Sequence, residues 1–275
     1  MKKLLLTLFI LGFISLSISV SARADVWGVY PNAPGGNELV KINPFTGVVS
    51  ASFDLPNISS TDTEIGLAGW SNNALYYTNA NSENGKIYKI SPADGSVLGS
   101  FTVSGGWEID GLGFWSNNLQ SYLYTSGCSV KDVHRYNAAD GAGPVFYWSN
   151  IYDPRSMAGD YAGKIFTYGA TSSGGPYNLY EIDPLNDVNA TFFANSPSDS
   201  IVGMAYDGLY LYLSDTRGYL YTLNNSGTVV GSLKLGYNLY ALGSTEGVGV
   251  PEPATMLLLG SGLLGLVGLR RKFRK

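Results

Sequence analysis

Seven polar residues lie just before short segments rich in glycine and alanine, and their side chains could bind a cation or a ligand. Five are acids, one is an arginine and one is an asparagine. Carboxylate and amide oxygens are the ligands that a hard cation such as calcium prefers. If the fold brings these residues together, they predict a ligand-binding site with calcium as a candidate cation; the alternative is that the acids cap solvated loops. The residues are Glu64, Glu108, Asp110, Asp153, Arg155, Asp199 and Asn238.

Other chemistry has little support in this sequence. Cys128 is the only cysteine, so an intrachain disulfide is excluded, and His134 is the only histidine, which excludes a multi-histidine metal centre. The G-x-S-x-G, H-E-x-x-H, P-loop and EF-hand patterns are absent. We therefore predict no catalytic residues, and a buried or loop thiol at Cys128 rather than a catalytic pair with His134.

The elements that must position the seven residues repeat along the chain. Lys86 to Phe101 has an alternating strand, a Pro-x-x-Gly turn and a return strand, which is typical of a β-hairpin. The same pattern recurs with its last turn residue at positions 47, 95, 141, 187 and 227. The steps of 48, 46, 46 and 40 residues between these positions favour a radial repeat architecture.

A second pattern precedes each hairpin and completes the repeating unit. Ile65 to Asn73 (IGLAGWSNN) matches Asp110 to Asn118 (DGLGFWSNN) at a spacing of 45 residues. An aromatic strand follows each copy, so one unit contains four strands. Glycine and alanine in the first strand allow the close backbone approach that an innermost strand requires near a central axis. Four-stranded units of this length predict β-propeller blades.

The two ends of the repeat region predict a closed ring. Val26 to Tyr30 forms an aromatic second strand without a first strand before it, and Tyr240 to Gly243 forms a first strand with nothing after it. Together they complete one blade, which gives an all-β, five-bladed propeller of four-stranded blades over residues 25–249. A two-sheet sandwich is the alternative.

In such a propeller the segments that lead into the innermost strands gather at one mouth of the central channel. The seven polar residues would then be neighbours in space. Trp70, Trp107 and Trp115 could stack on sugar rings near this mouth, or could pack between blades instead.

The N-terminal segment resembles an export signal. Met1 to Lys3 is basic, Leu4 to Val20 is apolar, and Ala22 and Ala24 form an A-x-A cleavage site. These features predict a signal peptide at residues 1–24, with its helix removed on export; an N-terminal membrane anchor is the alternative.

The charge of the body limits its partners. Residues 25–249 contain nine basic and twenty acidic side chains, which gives a net charge of −11. Binding to phosphate backbones requires clustered lysine and arginine, so we expect no nucleic-acid partner. Cations and neutral or cationic polymers remain possible partners.

The C-terminal segment, residues 250–275, has a distinct order of residues. Val250, Pro251, Glu252 and Pro253 are followed by an apolar stretch from Ala254 to Leu269 and by a basic cluster that begins with Arg270, Arg271 and Lys272. The apolar stretch would be about 24 Å long as a helix, slightly short for a bilayer core of about 30 Å, and the basic end would stay inside the cell.

This order of residues resembles the PEP-CTERM sorting signal of Gram-negative bacteria. The resemblance implies a transmembrane helix in an inner-membrane precursor, recognition by an exosortase, and processing near Pro251-Glu252-Pro253. It also implies delivery to the cell envelope or extracellular matrix alongside exopolysaccharide. An ordinary C-terminal anchor is the alternative. The sequence as a whole predicts an exported, non-enzymatic binding module; the alternative is a secreted hydrolase, lyase or cyclotransferase that uses the channel-mouth carboxylates, with or without calcium.

Overall fold

The computed structural model describes 20 strands in five antiparallel sheets of four strands each. This arrangement confirms the predicted five-bladed propeller. Residues 1–24 and 250–275, which carry the predicted signal peptide and sorting segment, lie outside the described residues. Among the described residues, no helix is long and apolar enough to cross a membrane. The described residues are 26–32, 36–55, 65–70, 74–79, 85–103, 109–116, 120–127, 130–143, 145–148, 151–159, 163–184 and 190–245.

Each blade runs from an innermost strand at the axis to an outermost strand at the rim. The strands of blade 1, from the axis outwards, are β20 (Ala241–Ser244), β1 (Val26–Asn32), β2 (Gly36–Ile42) and β3 (Val49–Asp54). Those of blade 2 are β4 (Ile65–Trp70), β5 (Ala74–Asn79), β6 (Lys86–Ile90) and β7 (Val97–Thr102). Those of blade 3 are β8 (Gly111–Ser116), β9 (Ser121–Gly127), β10 (Val130–Asn137) and β11 (Val145–Trp148). Those of blade 4 are β12 (Tyr152–Gly159), β13 (Ile165–Ala170), β14 (Asn178–Ile182) and β15 (Thr191–Asn195). Those of blade 5 are β16 (Ile201–Tyr206), β17 (Tyr210–Asp215), β18 (Tyr219–Asn224) and β19 (Val229–Lys234).

The ring closes in blade 1, where the last strand pairs with the first. Val26 lies opposite Ser244 and Val29 lies opposite Ala241 in an antiparallel ladder, and the backbone N–H of Tyr240 donates to the carbonyl of Val29 at 2.9 Å. This pairing leaves the innermost strand of each blade between two neighbouring innermost strands, so no edge is open at the axis. The predicted join between the two chain ends is therefore confirmed.

Small residues alternate with long apolar ones along the innermost strands. A Cβ added to Gly69 would lie 1.4 Å from the carbonyl oxygen of Ser244, and one on Gly111 would lie 2.9 Å from Cα of Ser156. Adjacent innermost strands are thus too close for a side chain at these positions. One buried long side chain from each innermost strand lines the remaining space at the axis. These side chains are Leu67, Leu112, Met157, Met204 and Leu242.

Aromatic side chains fill the layers between blades. Tyr76 stacks on Phe114 of the next blade with ring centroids 5.9 Å apart. Trp115 is only 1% exposed and stacks on Tyr122, with ring centroids 5.9 Å apart, so its ring is not available to a sugar. Trp115 therefore follows the packing alternative. Trp107 and the side chain of Trp70 are outside the part of the chain that the structure describes, so their roles stay predictions.

The hairpin turns also join one blade to the next. Gly95 has a φ of 72°, which favours glycine, and a Cβ added there would lie 2.4 Å from Cβ of Phe53 in the preceding blade. Gly141 has the same φ, and its Cβ would lie 2.4 Å from the ring of Phe101. The turn glycine that marks the sequence repeat is thus both a conformational and a packing requirement.

Candidate functional site

The propeller has two faces with different contents. We call the end at which the innermost strands begin the top face; the turns that join second to third strands also lie there. The end at which the innermost strands finish is the bottom face, and the turns that join third to fourth strands lie there. The seven polar residues predicted from the sequence precede or begin innermost strands, so those that the structure describes belong to the top face.

Asp110 lies closest to the axis. It immediately precedes β8 and is only 8% exposed, and its backbone N–H donates to the carbonyl of Ser126 at 2.8 Å. It borders the narrow axial space together with Ser156 and Met157. Glu64 and Glu108, which were predicted to lie beside it, are outside the described residues.

Asp153 and Arg155 form an ion pair at the start of β12. The Nε and Nη2 atoms of Arg155 lie 3.0 Å and 2.9 Å from Oδ2 of Asp153, and the hydroxyl of Tyr177 donates to the same oxygen. The guanidinium lies over the ring of Tyr177 at 5.0 Å, and 52% of the arginine side chain is exposed. Arg155 is therefore held between a carboxylate and an aromatic ring while it remains open to solvent.

The backbone and the second oxygen of Asp153 are unusual. Its φ is 55°, in the left-handed region that few residues other than glycine adopt. Its Oδ1 atom is shielded from solvent and has no hydrogen-bond partner within the part of the chain that the structure describes. Strained backbone and unsatisfied buried acceptors both cluster at functional sites.

The contacts of this ion pair raise the pKa values of Tyr177 and Arg155. Burial raises the pKa of Tyr177, and its hydrogen bond to the Asp153 carboxylate raises it further. Burial lowers the pKa of Arg155, but the hydrogen bond and charge of Asp153 outweigh this effect and raise it. Tyr177 therefore stays a phenol and Arg155 stays a cation in neutral solution.

A second and larger network lies in blade 5, and sequence reasoning missed it. The Asp215 side chain is fully buried, whereas 60% of the Arg217 side chain is exposed. Nε of Arg217 donates to Oδ2 of Asp215 at 3.0 Å, and the hydroxyl of Ser198 donates to the same atom at 3.0 Å. Oδ1 accepts from the backbone N–H groups of Arg217 and Tyr219 at 3.0 and 2.9 Å.

These donors keep Asp215 ionised. Burial alone raises the pKa of a carboxyl group, but the hydrogen bonds from Tyr219 N–H, Ser198 and Arg217 outweigh it and hold the pKa of Asp215 below its usual value. Arg217 lies over the ring of Tyr219 at 6.0 Å, so the network repeats the combination of carboxylate, arginine and tyrosine found in blade 4.

Tyr168 and Ser198 connect the two networks. The rings of Tyr168 and Tyr177 stack with centroids 5.2 Å apart, and the Tyr168 hydroxyl lies 3.5 Å from the carbonyl of Ser198. Burial raises the pKa of Tyr168 to about 12, with a smaller contribution from the charge of Asp199, which is itself exposed. The two networks are thus linked through the buried side chain of Tyr168 and the backbone of Ser198, beneath the top face of blades 4 and 5.

On the top face, Asn238 lies between the blade 5 network and blade 1. A Cβ added to Gly218 would lie 3.0 Å from Oδ1 of Asn238, which places this amide beside the turn that carries Arg217. The ring of Tyr237 packs edge-on against Tyr30 of blade 1 at 5.2 Å. We call the set Asp153, Arg155, Tyr177, Asp215, Arg217 and Tyr219 the arginine–tyrosine surface.

The structure brings together only part of the predicted site. Asp153, Arg155 and Asp199 lie on or beside the arginine–tyrosine surface, Asn238 lies at its far end, and Asp110 lies apart at the axis. Within the described ranges no three histidine, cysteine, aspartate or glutamate residues form a group that could hold a metal ion. The calcium hypothesis therefore depends on Glu64 and Glu108 and stays a prediction.

The expectation that Cys128 and His134 do not form a catalytic pair stays a prediction. His134 is 3% exposed within β10, and its ring lies edge-on to Tyr136 at 6.3 Å. Cys128 lies outside the described residues.

Comparison with known families identifies the tail. Residues 249–272 match the family model described as the PEP-CTERM protein-sorting motif. The chain carries a PEP-CTERM sorting motif. The motif implies an exported protein that an exosortase recognises, and it agrees with the resemblance seen at Val250 to Lys275. No curated protein matches the chain.

Comparison with solved structures finds distant propellers. A catalytically inactive virginiamycin B lyase from Staphylococcus aureus with quinupristin is 14% identical, with a TM-score of 0.42 over 79% of this chain and 72% of that protein. A streptogramin B lyase is 12% identical, with a TM-score of 0.43 over 78% and 71%. BamB from Moraxella catarrhalis is 13% identical, with a TM-score of 0.36 over 78% and 60%. Sequence identities and TM-scores this low carry no information about the function of this chain.

Proposed function

We propose that this PEP-CTERM protein is exported to the cell envelope or extracellular matrix, where its propeller acts as a non-enzymatic binding module for exopolysaccharide. The observation that carries the proposal is the arginine–tyrosine surface on a chain with this sorting motif. Two tyrosine rings, each covered by a fixed guanidinium, lie on neighbouring blades of one face. Such a surface offers a polymer two fixed and exposed guanidinium groups as hydrogen-bond donors.

The geometry suits sugar rings. A guanidinium has five N–H donors, only some of which the carboxylates occupy, and sugar hydroxyl groups can accept hydrogen bonds from the others. Asp153 and Asp215 fix both arginines before a ligand arrives, so less conformational entropy is lost on binding. More than half of each arginine side chain is exposed, at 52% and 60%.

The charge favours a neutral polymer. Each arginine of the surface is paired with a carboxylate, so the surface itself has no excess positive charge. The body has a net charge of −11, which repels polyanions at long range. We therefore expect neutral or weakly charged glycans to bind better than uronic-acid polymers or nucleic acids.

Affinity electrophoresis of the purified protein in gels that contain the exopolysaccharide of its native host tests the proposal. Replacing both Arg155 and Tyr177 by alanine should lower the affinity by about tenfold, because one aromatic or charge-assisted contact contributes about 1 kcal/mol. Lys164→Ala is the matched control: Lys164 pairs with Glu181 at 2.9 Å and lies over the Phe166 ring, but at the bottom of the same blade. Equal affinity of the double variant and the control would contradict the proposal.

The sorting part has its own test. Pro251 and Pro253 disfavour a continuing helix or strand, so we expect an extended segment in which a processing enzyme can reach Glu252. The small face of Gly260, Gly262, Gly265 and Gly268 suits packing of the following segment against another membrane helix. Mass spectrometry of the protein from its host should find a mature chain that lacks the basic cluster from Arg270 to Lys275. A mature chain that ends at Lys275 would contradict exosortase processing, as would unchanged processing after replacement of Pro251-Glu252-Pro253 by three alanines.

A further inference from the structure

We propose that the propeller docks by its bottom face on the lipid surface of the membrane that holds its sorting segment. The docked state belongs to the membrane-bound precursor, so the inference rests on the proposed sorting function. It leaves the top face, with the arginine–tyrosine surface, directed away from the membrane.

The exposed apolar side chains of the described residues are concentrated at the bottom face. Six belong to the first residues of outermost strands or the turns before them, one follows the start of β15, and one lies in the turn between β16 and β17. All are 40–61% exposed. They are Val48, Val49, Val97, Leu98, Phe192, Leu209, Val229 and Val230.

A repeated β-bulge produces two of the three exposed pairs. Ile90 pairs with Val97 whereas Lys89 pairs with Gly99, which leaves Leu98 as the extra residue of β7. The same shift leaves Val230 as the extra residue of β19. Because a bulge places two residues opposite one, consecutive apolar side chains are both left outside the sheet. The bulge turns what would be an alternating strand into an apolar tip at the bottom rim.

These tips are spaced around the rim of the propeller. They come from blades 1, 2, 4 and 5, and polar turn residues lie between them. A compact protein partner would cover neighbouring tips and leave the others in water. A flat lipid surface can contact all of them at once, and each apolar side chain that enters the interface is stabilised in proportion to the area it removes from water.

The chain ends show which surface the bottom face meets. β20 runs from the top face to the bottom face and finishes at Ser244, opposite Val26 at the start of β1. Only eight residues separate Thr245 from Ala254, the start of the apolar sorting segment. Fully extended, they span less than about 30 Å, so a membrane-inserted segment holds the bottom face close to the bilayer.

Charge does not drive this docking. The bottom face carries both signs: Asp94 and Asp140 lie in its turns, and Lys41, Lys89 and Lys164 lie at or next to the bottom ends of strands, so neither sign of lipid is favoured. Zwitterionic phosphatidylcholine vesicles are therefore the appropriate probe, because they report apolar insertion without charge repulsion.

The test uses the full chain reconstituted in phosphatidylcholine vesicles, with an environment-sensitive fluorophore on single cysteines in a Cys128→Ser background. Leu98→Cys and Val230→Cys probe the bottom tips. Thr102→Cys and Lys234→Cys are matched controls at the exposed top ends of the same strands, β7 and β19. Circular dichroism and thermal melting verify that each labelled chain is folded.

The proposal expects the bottom labels to emit at shorter wavelength, and to be quenched by nitroxide-bearing lipid several-fold more strongly than the top labels. Unquenched bottom labels on chains that float with the vesicles would overturn docking but leave the anchor intact. Chains that do not float would overturn both. A bottom-label shift that depends on protein concentration and is not quenched by lipid would assign the face to a second copy of the chain and overturn docking on lipid.

Discussion

Replacing Gly69 by alanine should break the closure of the propeller. Gly69 in β4 faces β20, the strand that completes blade 1, and its added Cβ would lie 1.4 Å from the carbonyl oxygen of Ser244 and 2.7 Å from its backbone nitrogen. Non-bonded heavy atoms need a separation of about 3.5 Å, so the two innermost strands must separate by about 2 Å. No rotamer change can relieve this, because the contacted atoms belong to the backbone.

The expected effect is large. A forced separation at the axis disturbs the packing of β4 and β20 and of the layer around them, and substitutions of this kind cost more than about 4 kcal/mol. Since a domain has a total stability of about 5–15 kcal/mol, Gly69→Ala removes a large part of it. Urea unfolding followed by circular dichroism should show a much lower midpoint.

Two other glycines provide graded controls. Gly113 occupies an innermost-strand position at which three other blades have alanine, and its added Cβ has its nearest contact at 3.4 Å, from Cβ of Met157. Gly99 in β7 has nothing within 4 Å of an added Cβ. We expect Gly113→Ala and Gly99→Ala to change stability by less than about 1 kcal/mol. If Gly69→Ala unfolds at the same urea concentration as these two, the close approach of β4 and β20 is wrong.

Three further outcomes follow from other contacts. Asp215→Asn should destabilise the protein at pH 7 by about 2 kcal/mol, since the buried carboxylate loses charge-assisted hydrogen bonds while its partner Arg217 stays exposed to solvent; because the folded pKa of Asp215 is lowered, this difference should shrink as the pH falls below about 3.9 in urea titrations. Gly141→Ala should destabilise more than Gly174→Ala: both have a positive φ, but only the first meets a ring, that of Phe101, so thermal melting should separate them. Tyr168→Phe should remove one phenol with a pKa of about 12 from an ultraviolet alkaline titration, and loss of amplitude near pH 10 instead would contradict the burial of Tyr168.

Much of the fold could be predicted because the constraints repeat in the sequence. The turn glycine needs a positive φ and lies close against a side chain of the preceding blade, so the same residue type recurs at 47, 95, 141 and 227. Innermost strands need small residues for close approach, which gave the pattern at Ile65 and Asp110. The unmatched strands at the two chain ends then fixed the closure that the pairing of Val26 with Ser244 confirms.

The candidate site was less accessible to sequence reasoning, because it depends on which turn a residue occupies. The pattern of polar residues before innermost strands predicts Asp153 and Arg155, but it does not extend to other turns of the same face. Asp215 and Arg217 lie after a second strand, in the segment DTRGY, which looks like an ordinary polar turn. The sequence does contain one signal for this pair: Asp215 and Arg217 have the same two-residue spacing as Asp153 and Arg155 in the segment DPR.

The exposed tips were hidden by a register effect. The pairs Val97-Leu98 and Val229-Val230 follow a turn, so a sequence reading takes them as the start of a half-buried strand. A single extra residue in the outermost strand changes which side chains face the core, and the position of a bulge is decided by the pairing partner rather than by local sequence. Whether these residues are buried or exposed can therefore be decided only once the pairing of the outermost strand with its neighbour is known.

The way in which the ring closes assigns separate tasks to the two faces. Because the last strand is the innermost strand of its blade, it must run from top to bottom, and the chain that follows must leave at the bottom face near the axis. A short tether from that point turns the bottom face towards whatever holds the tail. Closure by an outermost strand would instead release the tail at the top rim, beside the arginine–tyrosine surface. Under the proposed docking, the observed closure keeps the arginine–tyrosine surface away from the membrane while the sorting segment is still attached, and the proposed glycan binding does not have to wait for processing.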